Sequence, residues 1–252
     1  MGRLDSKVAI ITGGASGLGK HAVSMMLAEG AKVVIADLND DLGRKVCDEL
    51  SRQFQDKVHF VKLDVTDERM WQQTIDETIS KFDQIDILVN SAGISISKNI
   101  EAMSLEDLRK SLAINVEGPY LGMKAVIEVM KSHGGSIINI GSMAGVVGLS
   151  QAMPYSTSKG ALRLMTKSVA VYCAKQGYNI RVNTVNPAYI RTPMLEGVYN
   201  DEQIEGLKTL IPLGKLGTMA DVSQAIVYLS SDESSFITGV DINIDGGVNA
   251  GK

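Results

Sequence analysis

The chain has 252 residues, 44% of them hydrophobic, enough for the core of one large α/β domain. Its formal charge of −4 carries no basic block, which argues against nucleic acid and anionic membrane as partners. No apolar run reaches the roughly 18 residues that span a bilayer. Cys47 and Cys173 make no disulfide framework, and His21, His59 and His133 lie apart from any ligand cluster, so no metal is expected.

The opening MGRLDSKVAIITGG passes straight into a strand pattern, leaving no room for a signal peptide, and the cytoplasm is the expected compartment. MGRLDS fits the loose myristoylation pattern, but no polybasic second signal follows. Apolar, β-branched residues predict a strand at 7–12, a helix at 17–29 with Val23, Met26 and Leu27 on one face, and a strand at 32–37. A helix at 39–54, a strand at 57–65, a helix at 67–82 and a strand at 86–93 ending in a glycine turn follow. Next come helices at 104–116 and 118–132, a strand at 136–142, a long helix at 153–176, and a strand at 180–187 stopped by Pro187. Residues 188–217, holding Pro193, Pro212, Gly214 and Gly217, read as a looser segment covering the substrate. A helix at 219–230 and a strand at 239–247 complete the pattern.

Such alternation predicts an α/β fold, a parallel sheet with helices on both faces. Without repeat or linker, 1–252 reads as a single domain. Ligands of such sheets bind beyond the carboxyl ends of the strands.

The motif TGGASGLG (12–19) follows the first strand and opens the first helix. Gly13, Gly17 and Gly19, with Ser16 and Leu18 between them, let the backbone approach a pyrophosphate at a helix N-terminus. Asp37 ends the second strand, where a carboxylate accepts hydrogen bonds from a ribose 2′-hydroxyl and repels a 2′-phosphate. Neither Ser16 nor Leu38 supplies a cation for that phosphate. The expected cofactor is therefore NAD. Asn39 is free to cap the following helix.

Tyr155 and Lys159 sit at i and i+4 of the long predicted helix and share a face. An ammonium about 5 Å from a phenol, at an effective dielectric near 20, favours phenolate by about 3 kcal/mol. That brings a tyrosine within range of neutral pH as a general acid or base. Ser142 ends a predicted strand and is placed to hold the substrate oxygen. Asn115 stands mid-helix, where asparagine is a poor helix former, and reads as the anchor of a water relaying protons from Lys159.

Together these motifs resemble the short-chain dehydrogenase/reductase family, over essentially the whole chain from KVAIITGGASGLG to DGG. The resemblance implies a Rossmann-type doubly wound fold with a seven-stranded parallel sheet and a catalytic tetrad at Asn115, Ser142, Tyr155 and Lys159. It also implies an adenine-contacting pair at Asp64 and Val65. NSAG (90–93) is similar to the family's Asn-Asn-Ala-Gly turn, which places Asn90, Ala92 and Gly93 beside the cofactor. NPAYIRTPM (186–194) resembles the segment that holds the nicotinamide amide, through Pro187, Ile190 and Thr192, with Ala188 where the family has glycine. Lys159, beside Tyr155, also bonds the nicotinamide ribose on this reading. Family members are commonly homotetramers or dimers built on the helices corresponding to 118–132 and 153–176, so a homo-oligomer, with the tetramer favoured, is expected.

The substrate is expected among Ser95, Ser142, Met143, Met153, Tyr155, Tyr189, Met194, Leu195 and Val198. These positions are mostly apolar, and methionine adapts to varied apolar shapes. The reading is reversible hydride transfer between NAD(H) and an apolar secondary alcohol or ketone, cyclic and steroid-like ones included. A 3-oxoacyl-thioester reductase is the competing enzyme, disfavoured by Asp37 and by the charge balance. A non-catalytic NAD-binding protein is the remaining alternative, disfavoured because tyrosine and lysine are both present.

Overall fold

The structure, a computed structural model, describes residues 2–250. Met1 and Gly251–Lys252, the ends of the expected 1–252 domain, lie outside the described residues. Seven parallel strands form one sheet in the order β3-β2-β1-β4-β5-β6-β7. They are β1 (Val8–Thr12), β2 (Lys32–Asp37), β3 (Val58–Lys62), β4 (Ile87–Asn90), β5 (Gly135–Ile140), β6 (Ile180–Pro187) and β7 (Asp241–Ile244). The helices are α1 (Gly17–Ala28), α2 (Asp40–Ser51), α3 (Glu68–Phe82), α4 (Leu105–Leu112), α5 (Gly118–Met130), α6 (Met153–Gln176), α7 (Pro193–Glu196), α8 (Asp201–Leu207) and α9 (Met219–Ser230). Chain order reverses direction between β1 and β4, so the loops leaving those strands part and open a crevice.

The strands alternate their side chains between two cores. Ala9, Ile11, Val33 and Ile35 face one layer, where Ala22, Val23 and Met26 of α1 meet Val222 and Ile226 of α9. Val8, Ile10, Val34 and Ala36 face the other, with Trp71 and Ile75 of α3, Met123 and Val126 of α5, and Ala170 of α6. Each large apolar side chain so buried contributes roughly 1.5–3 kcal/mol. Among the described residues, no helix is long and apolar enough to cross a membrane.

The predicted strands and long helices all form. Asn39 caps α2, its side chain accepting from Leu42 N–H. Two expectations change. Helices 104–116 and 118–132 are joined by a π-helical turn, Ala113–Glu117, so α4 and α5 run on without a break. The segment 188–217 contains helices: Thr192 caps α7 with Pro193 in its first turn, and Asn200 and Gln203 form a capping box on α8.

Candidate active site

The glycine-rich turn after β1 is shaped by contact. Gly13 adopts a left-handed φ of +64° and lies against Ala92 of the loop after β4. A side chain on Gly19 would stand 2.2 Å from the Gly13 carbonyl oxygen, so the first turn of α1 is packed directly onto the loop. The Thr12 hydroxyl accepts from both Ser91 N–H and Ala92 N–H at 3.1 Å and ties the two crevice loops together. Side chains cap α2, α3, α4, α8 and α9. Ser16 makes no such bond at α1, whose first turn also lacks an acidic residue. The free N–H groups and positive helix end there suit a dinucleotide pyrophosphate.

Asp37 flanks this loop. Its two carboxylate oxygens accept from Ala15 N–H and Asn39 N–H, both at 3.0 Å, which fixes the side chain toward the turn. Asp64 and Val65 follow β3 beside it, with Leu63 N–H bonded to the Asp37 carbonyl. They stand apart from the main cavity. The Asp64 carboxylate accepts from Thr66 N–H and Thr66 Oγ1, and the Val65 carbonyl accepts from Trp71 Nε1.

Beyond the crevice lies a cavity of about 280 Å³. It brings Gly13, Ser16, Gly17, Leu18 and Gly19 together with Ser142, Tyr155 and Lys159. Ala92, Gly93, Pro187, Ile190 and Thr192 also reach it, as do Ser95, Met143, Tyr189, Met194, Leu195 and Val198. Ala188, in place of the expected glycine, keeps a negative φ and donates its N–H to the Ile244 carbonyl. The residue needs no glycine there.

Three expected contacts are corrected. Met153 does not line the cavity; it lies against Thr157, and Leu149 and Ala152 take its place. The Asn90 side chain is buried in the sheet, where its amide donates to Asn139 Oδ1 at 2.8 Å. Asn139 in turn donates to Thr166 Oγ1 at 2.8 Å, which extends the ladder toward α6. The Asn115 side chain is likewise fully engaged: Oδ1 accepts from Ile94 N–H, and the amide donates to the Ile94 carbonyl and to Ser158 Oγ, each at 2.9 Å. Both amide hydrogens are thus taken within the protein. The residue instead clamps the loop after β4 to α6 through the π turn.

The electrostatics also differ from expectation. Lys159 Nζ is buried, donates to the Ile140 carbonyl at 2.7 Å and stands 5.7 Å from the centre of the Tyr155 ring. Burial lowers the Lys159 ammonium to about 8. Burial also raises the Tyr155 phenol above its ordinary value, with the Ser142 hydroxyl pulling the other way. Desolvation thus outweighs the attraction between ammonium and phenolate, and the phenol rests protonated. Ser142 Oγ accepts from Ala144 N–H at 3.1 Å, which fixes the serine at the end of β5. A methyl group at Gly93 would lie 3.1 Å from Asn115 Oδ1 and 3.5 Å from Lys159 Nζ, so the three meet behind the cavity wall.

A glycine-rich turn at a helix N-terminus thus opens onto the same cavity as the Tyr155 phenol and the buried Lys159 ammonium. The chain belongs to the short-chain dehydrogenase/reductase family: a family model described as enoyl-(acyl carrier protein) reductase matches residues 13–249. It is 42% identical to cyclopentanol dehydrogenase of Comamonas sp. (strain NCIMB 9872), covering 99% of this chain and 100% of that one. It is 40% identical to the NADP-dependent (R)-specific alcohol dehydrogenase of Lentilactobacillus kefiri, covering 98% of each. Among solved structures, levodione reductase superposes with a TM-score of 0.94 at 27% identity, over 99% of this chain and all of that one.

Sequence reasoning missed Thr12, Ser97, Leu149, Ala152 and Tyr199.

Proposed function

We propose that the protein catalyses reversible hydride transfer between NAD(H) and an apolar secondary alcohol or ketone, cyclic ones included. The observation that carries this reading is the convergence of Ser142, Tyr155 and Lys159 on the cavity entered by the glycine turn, with Met143, Leu149, Met194, Leu195 and Val198 around them. A bound nicotinamide dinucleotide supplies the hydride acceptor or donor. Gly13 to Gly19 hold its pyrophosphate, and Ala92, Gly93, Pro187, Ile190 and Thr192 flank it. Ser142 holds the substrate oxygen. Tyr155 gives its proton to that oxygen in reduction and takes it back in oxidation. Lys159, anchored on the Ile140 carbonyl, orients the cofactor ribose and keeps positive charge behind the phenol.

Asp37, at the end of β2 beside the glycine turn, supports NAD over NADP on this reading, because a carboxylate there repels a 2′-phosphate. On that reading the cofactor differs from that in the name of the NADP-dependent relative. The relatives' names favour alcohols over acyl thioesters. Self-association is part of the proposal: Leu164, Val171 and Tyr172 of α6 and Tyr120 of α5 are exposed on the helices expected to pair.

The test is turnover of a panel of aliphatic, cyclic, aromatic and steroid alcohols with NAD⁺ and, in parallel, NADP⁺, followed by absorbance of the reduced cofactor. Tyr155→Phe should lower kcat by 10²–10⁴-fold with cofactor affinity retained. Undiminished turnover in that variant overturns the assignment. Light scattering of the purified protein reads its oligomeric state.

A further inference from the structure

The cavity is lined unevenly, and the unevenness names a class of substrate. Met143, Leu149, Ala152, Met194, Leu195 and Val198 make an apolar surround. Besides Ser142, Tyr155, Ser16, Ser91 and Thr192, four more hydroxyl-bearing residues line it. Ser95 and Ser97 come from the loop after β4, and Tyr189 and Tyr199 from the segment after β6. Among the described residues, none of the four hydroxyls has a protein hydrogen-bond partner, whereas neighbouring Thr12, Ser142, Ser158 and Thr192 each bond the protein. Burial, and then the neighbouring Tyr199, raise the Tyr189 phenol above its ordinary value.

Among the described residues, Lys159 is the sole ammonium, guanidinium or carboxylate group lining this cavity, and it is engaged on the Ile140 carbonyl. Nothing around the distal end would pair a carboxylate or phosphate on the substrate. Hydroxyls that both donate and accept suit a neutral oxygen. Ser97 is exposed and Ser95, Tyr189 and Tyr199 are half-buried; hydroxyls without a protein partner in a largely apolar lining favour a ligand that pairs with them.

We infer that the preferred substrate is a compact, largely apolar molecule carrying a second, uncharged oxygen function remote from the reacting carbon: a diol, hydroxyketone or diketone. Ser95, Ser97, Tyr189 and Tyr199 recognise that second oxygen. This rests on the secondary-alcohol reading above and narrows it.

The test compares cyclohexanol, trans-cyclohexane-1,4-diol and trans-4-hydroxycyclohexanecarboxylate as substrates of the full-length enzyme with saturating NAD⁺. The diol has two equivalent hydroxyls, so a factor of two in kcat/KM is statistical. Recognition of the second oxygen should give about a tenfold advantage over cyclohexanol, with the carboxylate below both. The Tyr189→Phe/Tyr199→Phe double variant and Ser95→Ala should each bring the diol-to-cyclohexanol ratio down toward two. Thermal melts identify any variant that fails to fold, and the wild-type ratio decides the matter without them. A wild-type ratio near two, a ratio unmoved in folded variants, or a preference for the carboxylate overturns this inference while leaving the alcohol dehydrogenase reading intact. No turnover of any secondary alcohol would instead overturn the underlying reading.

Discussion

Replacing Lys159 with methionine should make the cofactor-free protein more stable at neutral pH. The lysine is buried and meets one carbonyl, that of Ile140. Burial drops its ammonium from the ordinary 10.5 to about 8. At about 1.4 kcal/mol per tenfold change in proton affinity, that drop is a penalty of about 3 kcal/mol on the folded state at pH 7. Methionine fills a similar volume without charge and removes the penalty. It also leaves the Ile140 carbonyl without its donor, a loss of about 1 kcal/mol. The net expectation is about 2 kcal/mol of stabilisation, or roughly 4–8 °C in Tm for a domain of this size. The sign changes with pH. Between about 8 and 10.5 the unfolded chain holds the proton that the folded one has released, so wild-type stability rises with pH in that window. The variant's advantage should halve by about pH 9 and vanish near pH 10. Urea denaturation of both proteins at fixed concentration, at pH 7, 9 and 10, measures it, since other titrating groups cancel in the difference. A variant less stable at pH 7, or a gap that ignores pH, would refute the claim that Lys159 is held against a desolvation cost.

Asp37→Ala should raise kcat/KM with NADP⁺ at least tenfold and lower it with NAD⁺, read from initial rates; an unchanged preference would remove Asp37 as the selector. Gly19→Ala puts a methyl group 2.2 Å from the Gly13 carbonyl oxygen, backbone against backbone, and should cost about 1–3 kcal/mol in denaturation while weakening NAD⁺ binding by calorimetry. Because burial raises the Tyr155 phenol, its basic form is scarce at neutral pH and its acidic form saturated. The chemical step of alcohol oxidation should therefore accelerate from pH 7 to 10 in stopped-flow absorbance, while that of ketone reduction stays flat until the phenol ionises.

Much of this molecule was legible in the sequence. The strands could be read because continuous apolar runs such as VAIIT and KVVIAD are what a sheet covered on both faces requires. The span of α6 was readable from Pro154 in its first turn to Gly177 in the left-handed C-terminal position. The π turn at Ala113–Glu117 was not, since inserting one residue into a helical ladder leaves no local pattern of residue types. The helices within 188–217 did carry signals, Thr192 before Pro193 and the Asn200–Gln203 pair, but the surrounding prolines and glycines masked them. The electrostatic error has a different origin. Spacing along a helix gives the distance between Tyr155 and Lys159, and says nothing of how much water the sheet edge and the Met143–Gly145 turn exclude. That exclusion decides the direction in which both groups move.

The two sides of the site are built differently, and the difference bears on how one chemistry serves many substrates. Beneath the cavity, Asn90, Asn139 and Thr166 form one chain of buried hydrogen bonds. Asn115, Ile94, Ser158 and the Tyr155 carbonyl form another. Any single change there orphans a buried polar group, at roughly 1–3 kcal/mol each, so these positions are constrained together. The opposite wall has no such frame. Residues 91–99 form neither helix nor strand, and α7 is a four-residue helix whose Met194 and whose following Val198 are largely exposed. Substitutions on that wall change the cavity's shape and polarity without disturbing the phenol, the serine or the lysine.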